Sequence, residues 1–167
     1  VAEQMAGPGA RIWELAHVLA QHLPVTLAVP AGPPPPPSPT VRTVAYAPRD
    51  QAAVLGLAEE HAALFLSGSL LYHFPALGQV DRPMAVDLYI PSILENLETH
   101  GARPMDERAA IHGADLGLLN QLLSAGDFFL CASERQRDLW LGALLANNRV
   151  NPRVYAGDVT LRRLIDV

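Results

Sequence analysis

The sequence predicts an α/β fold with a mainly parallel sheet and helices on both faces. Short runs rich in β-branched and aromatic residues alternate with longer segments of helical periodicity along 167 residues. Such alternation implies right-handed crossovers, which place successive strands parallel to one another. Half of the residues are hydrophobic, which is enough for one domain with a buried core. We therefore expect residues 1–167 to form a single domain.

The first helix is predicted over residues 8–22, and Pro24 ends it. Its apolar residues recur with the spacing of one helical face, at Ile12, Leu15, Ala16 and Leu19. A glycine-lined turn, Gly7-Pro8-Gly9, opens this helix. Such a turn normally follows a strand, so we interpret Val1–Gln4 as the tail of a truncated first strand.

The other elements follow in alternation, with a proline-rich segment at residues 30–39 near the start. That segment is predicted to be a stiff polyproline II surface loop rather than a docking peptide. The strands are predicted at Val25–Val29, Thr40–Tyr46, His61–Leu66, Pro83–Leu88 and Phe128–Ala132. The helices are predicted at 50–59, Pro91–Thr99, Asp106–Ser124 and 133–146, the last with Ser133 as N-cap and Gln136 at N3.

The first candidate site is the start of the first helix. Ligands of parallel sheets bind beyond the carboxyl ends of the strands, at strand-to-helix junctions. Helix N-termini present unpaired N–H groups and partial positive charge, which suit a phosphate, and Arg11 adds a fixed charge there. The alternative is that Gly7 and Gly9 only make a tight turn. The segment does not match the dinucleotide-binding fingerprint, because Ile12 stands at the position of the third glycine and no acidic residue ends the following strand.

The second candidate site is Asp87, which ends an apolar strand in "MAVDLYIP". A carboxylate there costs free energy unless it is paired or faces a cleft. In a cleft, Asp87 would bind acceptor hydroxyls or accept a proton. The alternative is a structural role in capping the helix after Pro91. Tyr89 either forms the floor of a sugar-binding site or packs in the interior.

The third candidate site is the junction "CASERQRDLWLGALL", where Ser133 and Glu134 follow the last predicted strand. Arg135 and Arg137 lie in the first helical turn, where basic residues oppose the helix dipole. Either they reach an anion, or they pair at the surface with Glu134 or Asp138. His73, in "LYHFP", is the one histidine near a strand-to-helix junction, and a structural role is the alternative for it.

Several classes of function are disfavoured. The net charge is −5 without a basic cluster, which argues against nucleic acid as a partner. His17 and His22 are five residues apart and no carboxylate cluster accompanies them, so we expect no metal site and no cofactor. The most apolar run, Ala62–Phe74, is too short to cross a membrane. Cys131, the single cysteine, fits an apolar strand in a reducing, cytoplasmic setting.

Four segments resemble the N-terminal half of a family 4 glycosyltransferase with the GT-B fold. Together they cover nearly the whole chain apart from the proline-rich segment, and the last of the four is the most specific. They read "MAGPGARIWELAHVLA", "LLYHFPAL", "RPMAVDLYIPSILENLE" and "GDFFLCASERQRDLWLGALLANNRVNPRVYAGDVTLRRLIDV". The resemblance implies a Rossmann-like acceptor-side domain, with the C-terminal donor-binding domain outside these residues.

The resemblance also implies a chemistry. Such enzymes transfer a sugar from a nucleotide-sugar donor to a sugar or glycan acceptor, with retention and generally without a metal. By analogy Gly7, Gly9 and Arg11 lie near the donor phosphates. The residues implied on the acceptor side are Asp87, Tyr89, His73, Ser133, Glu134 and Arg135.

One residue departs from the family pattern. The similar proteins read "DLYDP", whereas this chain has Ile90 at the second acidic position. This favours the alternative of a non-catalytic binding module on the same scaffold. We further expect the exposed cleft wall to support self-association, and peripheral attachment to the inner face of the membrane stays open.

Overall fold

The structure, a computed structural model, describes residues 7–33, 35–68 and 70–167, and it confirms the predicted α/β class. The strands are β1 (Val25–Pro30), β2 (Val41–Tyr46), β3 (Leu64–Ser67), β4 (Met84–Asp87), β5 (Phe128–Leu130) and β6 (Ile165–Asp166). The helices are α1 (Gly7–Leu19), α2 (Gln51–Glu59), α3 (Leu70–His73), α4 (Ser92–Thr99), α5 (Met105–Ala125), α6 (Glu134–Ala146) and α7 (Pro152–Gly157). A 3₁₀ helix spans Pro75–Gln79. The chain divides into two compact units, residues 1–54 and 55–167.

The first unit contains α1 and a parallel pair of strands, β1 and β2, with Val25 opposite Val41 and Pro30 opposite Tyr46. No helix lies in the described part of the connection between these strands. Ser38 fixes the end of that connection, because its Oγ accepts a hydrogen bond from the backbone N–H of Val41 at 3.1 Å. The proline-rich segment is thus anchored where it enters β2.

The second unit contains a four-stranded parallel sheet in the order β3-β4-β5-β6. One row across all four strands is Leu66, Val86, Phe129 and Ile165, and these side chains are at most 5% exposed. Residues at equivalent register positions project to the same face of a sheet. This row is therefore the centre of the unit's hydrophobic core.

The predicted helix over residues 8–22 is too long at its C-terminal end. α1 ends at Leu19, and residues 20–22 form a turn in which His22 N–H donates to the carbonyl of Leu19 at 2.9 Å. The interpretation of Val1–Gln4 as the tail of a strand lies outside the described residues. Within residues 7–33, 35–68 and 70–167, no helix has the length and apolarity needed to cross a membrane.

The last strand that the sequence pattern predicts clearly, Phe128–Ala132, is shorter in the structure, where β5 ends at Leu130, and one further strand follows it. β6 follows as a two-residue strand beside β5, with Phe129 opposite Ile165. Such a short strand carries no alternation of polar and apolar residues that a sequence pattern reveals. Sequence patterns also do not predict three short helices, which are α3, the 3₁₀ helix and α7.

Candidate functional site

The carboxyl edge of the second unit's sheet is one row of residues at which the strands end together. Its members are Ser67, Asp87, Leu130 and Asp166, each the last residue of its strand and each paired with its neighbour in register. Neighbouring strands lie about 4.8 Å apart, so the whole row spans about 14 Å. The other site residues predicted in this unit follow these strand ends in the chain. They are His73 after β3, Tyr89 after β4, and Ser133, Glu134 and Arg135 after β5.

Asp87 lies on an inner strand of the sheet, between β3 and β5, and is 6% exposed. A carboxylate is seldom this buried unless its environment compensates for the lost hydration. The backbone directly after it continues along β5, because Leu88 N–H donates to the carbonyl of Leu130 at 2.7 Å. The sequence pattern predicted Asp87 at the carboxyl end of a strand, and the structure confirms this position.

Two side chains of α6 hold the backbone that follows Asp87. The indole Nε1 of Trp140 donates to the carbonyl of Leu88 at 3.1 Å, and Trp140 is 3% exposed. Nε2 of Gln136 donates to the carbonyl of Tyr89 at 3.0 Å. Tyr89 is thus placed beside the candidate carboxylate through its main chain.

Gln136 also connects two strand ends. Its Oε1 accepts a hydrogen bond from the N–H of Ala132 at 2.9 Å, while its Nε2 bonds to the loop after β4. Ser133 is the N-cap of α6, with its Oγ accepting from the N–H of Gln136 at 3.3 Å, as predicted. Sequence reasoning recognised Gln136 only as a capping residue. Its second role is to bind the loop after β4. The sequence signal for that role is a long amide side chain in the first turn of a helix that follows a strand end.

The charged residues at the start of α6 have different partners from those proposed from the sequence. Glu134 pairs with Arg162, with the carboxylate oxygen 2.7 Å from the guanidinium, and Arg162 also contacts Asp166. Both side chains of the first pair are well exposed to solvent. Arg135 is exposed and makes no hydrogen bond or ion pair with the residues that the structure describes.

Arg137 is a structural residue. It is 8% exposed, and its Nε donates to the carbonyl of Ile165 at 2.9 Å. A second guanidinium nitrogen donates to the carbonyl of Thr160. Neither predicted alternative for Arg137, an anionic ligand or surface pairing with Glu134 or Asp138, describes these contacts. The cost of burying the guanidinium is offset by these charge-assisted hydrogen bonds to carbonyl groups.

His73 ends α3 and is exposed, with its ring meeting the ring of Tyr72 edge-on at a centroid distance of 5.3 Å. Tyr72 is 68% exposed. α3 follows Gly68, whose φ of 61° lies in the left-handed region that glycine adopts without strain. The connection after β3 therefore presents an imidazole and a phenol to solvent.

The glycines of the first unit lie inside a helix. α1 begins at Gly7, so Gly7 and Gly9 both belong to its first turn. A methyl group on either would meet no heavy atom within 4 Å, so close packing does not require glycine at these positions. Arg11 follows in the same helix and is partly buried. The predicted turn at Gly7-Pro8-Gly9 is therefore wrong, because these residues already belong to the helix.

Cys131 follows β5 directly and is 1% exposed. Its thiol donates to the carbonyl of Asp166 at 3.3 Å, and burial raises the pKa of the thiol. Reactive cysteines lie in partly exposed, electropositive surroundings, and the buried surroundings of Cys131 are of the opposite kind. Among the residues that the structure describes, no three His, Cys, Asp or Glu side chains are grouped so that they could hold a metal ion.

Comparison of the chain with protein-family models, with curated proteins and with solved structures gives no match. The arrangement of its strands and helices makes it an α/β protein with parallel sheets. Its candidate site is the carboxyl edge around Asp87.

Proposed function

We propose that this chain is the acceptor-side domain of a retaining glycosyltransferase with GT-B architecture. The observation that carries the proposal is Asp87, a buried carboxylate at the carboxyl end of an inner parallel strand. In open α/β sheets, ligands bind at this end of the strands. The four segments that resemble family 4 glycosyltransferases give the proposal its reaction class.

In the proposed enzyme, Asp87 accepts a hydrogen bond from the acceptor hydroxyl, and Tyr89 lies beside it. The hydrogen bonds from α6 keep this loop in one geometry, and a fixed geometry lowers the entropic cost of aligning the attacking hydroxyl. Ser133, Glu134 and Arg135 form the rim on the next connection, and His73 stands on the connection after β3.

The donor side of the proposed reaction needs positive stabilisation of the leaving diphosphate. We assign the amides of the first turn of α1, at Gly7 and Gly9, and the guanidinium of Arg11 to this role. The remaining donor contacts come from the C-terminal domain of the GT-B architecture. We therefore expect the 167-residue chain by itself to bind acceptor without transferring sugar.

The experiment uses the product of the full open reading frame and a panel of nucleotide-sugars with sugar and glycan acceptors. Asp87→Asn is expected to lower kcat/KM by about 10²- to 10⁴-fold, the usual contribution of a positioned acid–base group. Asp81→Asn, which changes an exposed carboxylate, is the matched control and is expected to retain full activity. Transfer by residues 1–167 unaided, or an active Asp87→Asn enzyme, would contradict the assignment.

A non-catalytic binding module is the second candidate. The residue that favours it is Ile90, which replaces the second acid of the pattern "DLYDP" in the similar proteins. The two candidates differ in one readout. If the protein is a binding module, adding the acceptor shifts the amide NMR signals of Tyr89 and Ser133. The full-length protein then transfers no sugar from any donor in the panel, whereas a transferase does.

A further inference from the structure

A shallow groove lies between α4 and α5, on residues that the proposed transferase site does not use. Its polar lining consists of Asn96, His100, Arg108, His112 and Asp115. On α5, Arg108, His112 and Asp115 are spaced i, i+4 and i+7, so they form one stripe along the helix that faces α4. His112 stands at the centre of this stripe.

The Nδ1 atom of His112 is buried and has no hydrogen-bond partner among the described residues. Two other histidines of this chain use Nδ1 differently. His17 bonds to the carbonyl of Trp13 at 2.8 Å, and His61 bonds to the carbonyl of Leu57 at 2.6 Å. Each therefore satisfies its ring nitrogen with the carbonyl four residues back. His112 does not, and a buried polar atom without a partner calls for a ligand or a water.

The two ends of the groove differ in charge. At one end the carboxylate of Asp115 accepts a hydrogen bond from Nδ2 of Asn96 at 2.8 Å. At the other end the guanidinium of Arg108 has no hydrogen-bond or ion-pair partner within residues 7–33, 35–68 and 70–167, and His100, the C-cap of α4, also lines the groove. Arg108 and Asp115 lie about 10 Å apart along the helix, and no ion pair joins their side chains in the part of the chain that the structure describes.

The enclosed part of the groove has a volume of about 10 Å³, which is room for about one water-sized group. A single oxygen atom of a larger ligand fits there. A guanidinium binds carboxylate and phosphate in a fixed fork, and an imidazole N–H adds a further donor. With the Nδ1–H tautomer of His112, the imidazole and the Arg108 guanidinium both donate, and two donors match an oxyanion better than a neutral hydroxyl group.

We propose that the α4–α5 groove binds one oxyanion group, a carboxylate or a phosphate. One oxygen enters the groove and accepts a hydrogen bond from Nδ1 of His112. The other oxygens stay at the mouth and face Arg108, with His100 as the neighbouring donor. The residues of this groove are not among those assigned to sugar transfer. A test of oxyanion binding here is therefore independent of the proposed transferase function.

The test is an NMR titration of the 167-residue chain with ¹⁵N-labelled histidine. Sodium phosphate and sodium acetate are added in separate arms against sodium chloride at constant pH and ionic strength. A saturable shift of the His112 ring nitrogens, with a Kd of about 1–10 mM in either arm, is the expected result. Saturation by phosphate alone assigns the site to phosphate groups, and saturation by both assigns it to oxyanions in general. Absence of saturation in both arms means that the groove holds only water and overturns the proposal.

A matched pair of variants separates a site from general charge effects. Arg108→Gln is expected to weaken binding at least about tenfold, the loss of one charge-assisted pair. Arg153→Gln removes an equally positive but exposed side chain of α7 and is expected to leave binding unchanged. Equal effects of the two variants would show non-specific attraction and would also overturn the proposal.

Discussion

Gly126, between α5 and β5, is the position where one added carbon is expected to disturb the core most directly. It is buried, and a methyl group on it would lie 2.7 Å from Cε1 of Phe129 and 2.8 Å from Cγ2 of Val86. Both neighbours are fully buried at the centre of the sheet, so neither side chain has free space to move into. The φ of Gly126 is −70°, which alanine adopts without strain. The perturbation is therefore one of packing alone.

The expected loss follows from two opposing effects. Overpacking a core by one methyl group costs about 1–3 kcal/mol. Replacement of glycine by alanine at an allowed backbone conformation stabilises by about 0.4–1 kcal/mol, because the unfolded chain loses freedom. Gly126→Ala is therefore expected to lower the free energy of unfolding by about 1–2 kcal/mol.

The assay is urea denaturation followed by far-UV circular dichroism and tryptophan fluorescence. With m of about 2 kcal/mol/M, the middle of the usual range in urea, the midpoint is expected to fall by about 0.5–1 M at unchanged m. The matched controls are Gly113→Ala and Gly117→Ala, on the exposed face of α5 with no heavy atom within 4 Å of the added carbon. Each is expected to stabilise by about 0.5–1 kcal/mol. A Gly126→Ala protein as stable as these controls would refute the packing argument.

Three further predictions concern single groups. Trp140→Phe leaves the carbonyl of Leu88 without its donor, so we expect a loss of about 1–3 kcal/mol, measured as a lower Tm; an unchanged Tm would contradict it. The pKa of Asp158 is lowered to about 2, chiefly by the hydroxyl of Thr160, so its stabilising effect is complete above its unfolded pKa and is lost as the pH falls through about 2. Thr160→Val should raise this pKa in a ¹³C carboxyl NMR titration, and an unmoved midpoint would argue against the assigned cause. Cys131 should react with a thiol reagent much more slowly in the folded chain than in urea, and equal rates would show that the thiol is accessible.

The elements that the sequence predicted best are those whose ends are set by local chemistry. α6 begins directly after Ser133 as expected because Ser133 caps it, and this capping bond joins residues three apart in sequence. The position of Asp87 at a strand end was also predictable, because the apolar run before it is continuous. In these cases neighbouring residues alone determine the outcome.

The features that sequence reasoning missed depend on contacts between distant residues. β6 exists only because Phe129 and Cys131 donate their N–H groups to carbonyls of Leu164 and Asp166, more than thirty residues away. The burial of Arg137 likewise depends on carbonyl groups 23 and 28 residues further along the chain. No periodicity records such pairings, since the carbonyl partners are present in every residue type.

The order in which the four-stranded sheet is assembled has a consequence for biosynthesis. Each strand pairs with the one made just before it, so the sheet can grow in step with translation from β3 onward. The outer edge of β5 nevertheless stays open until residues 164–166 have left the ribosome, and unpaired edges recruit other strands. A nascent chain stalled before Leu164 should therefore aggregate more readily than one in which residues 164–166 have emerged and paired with β5.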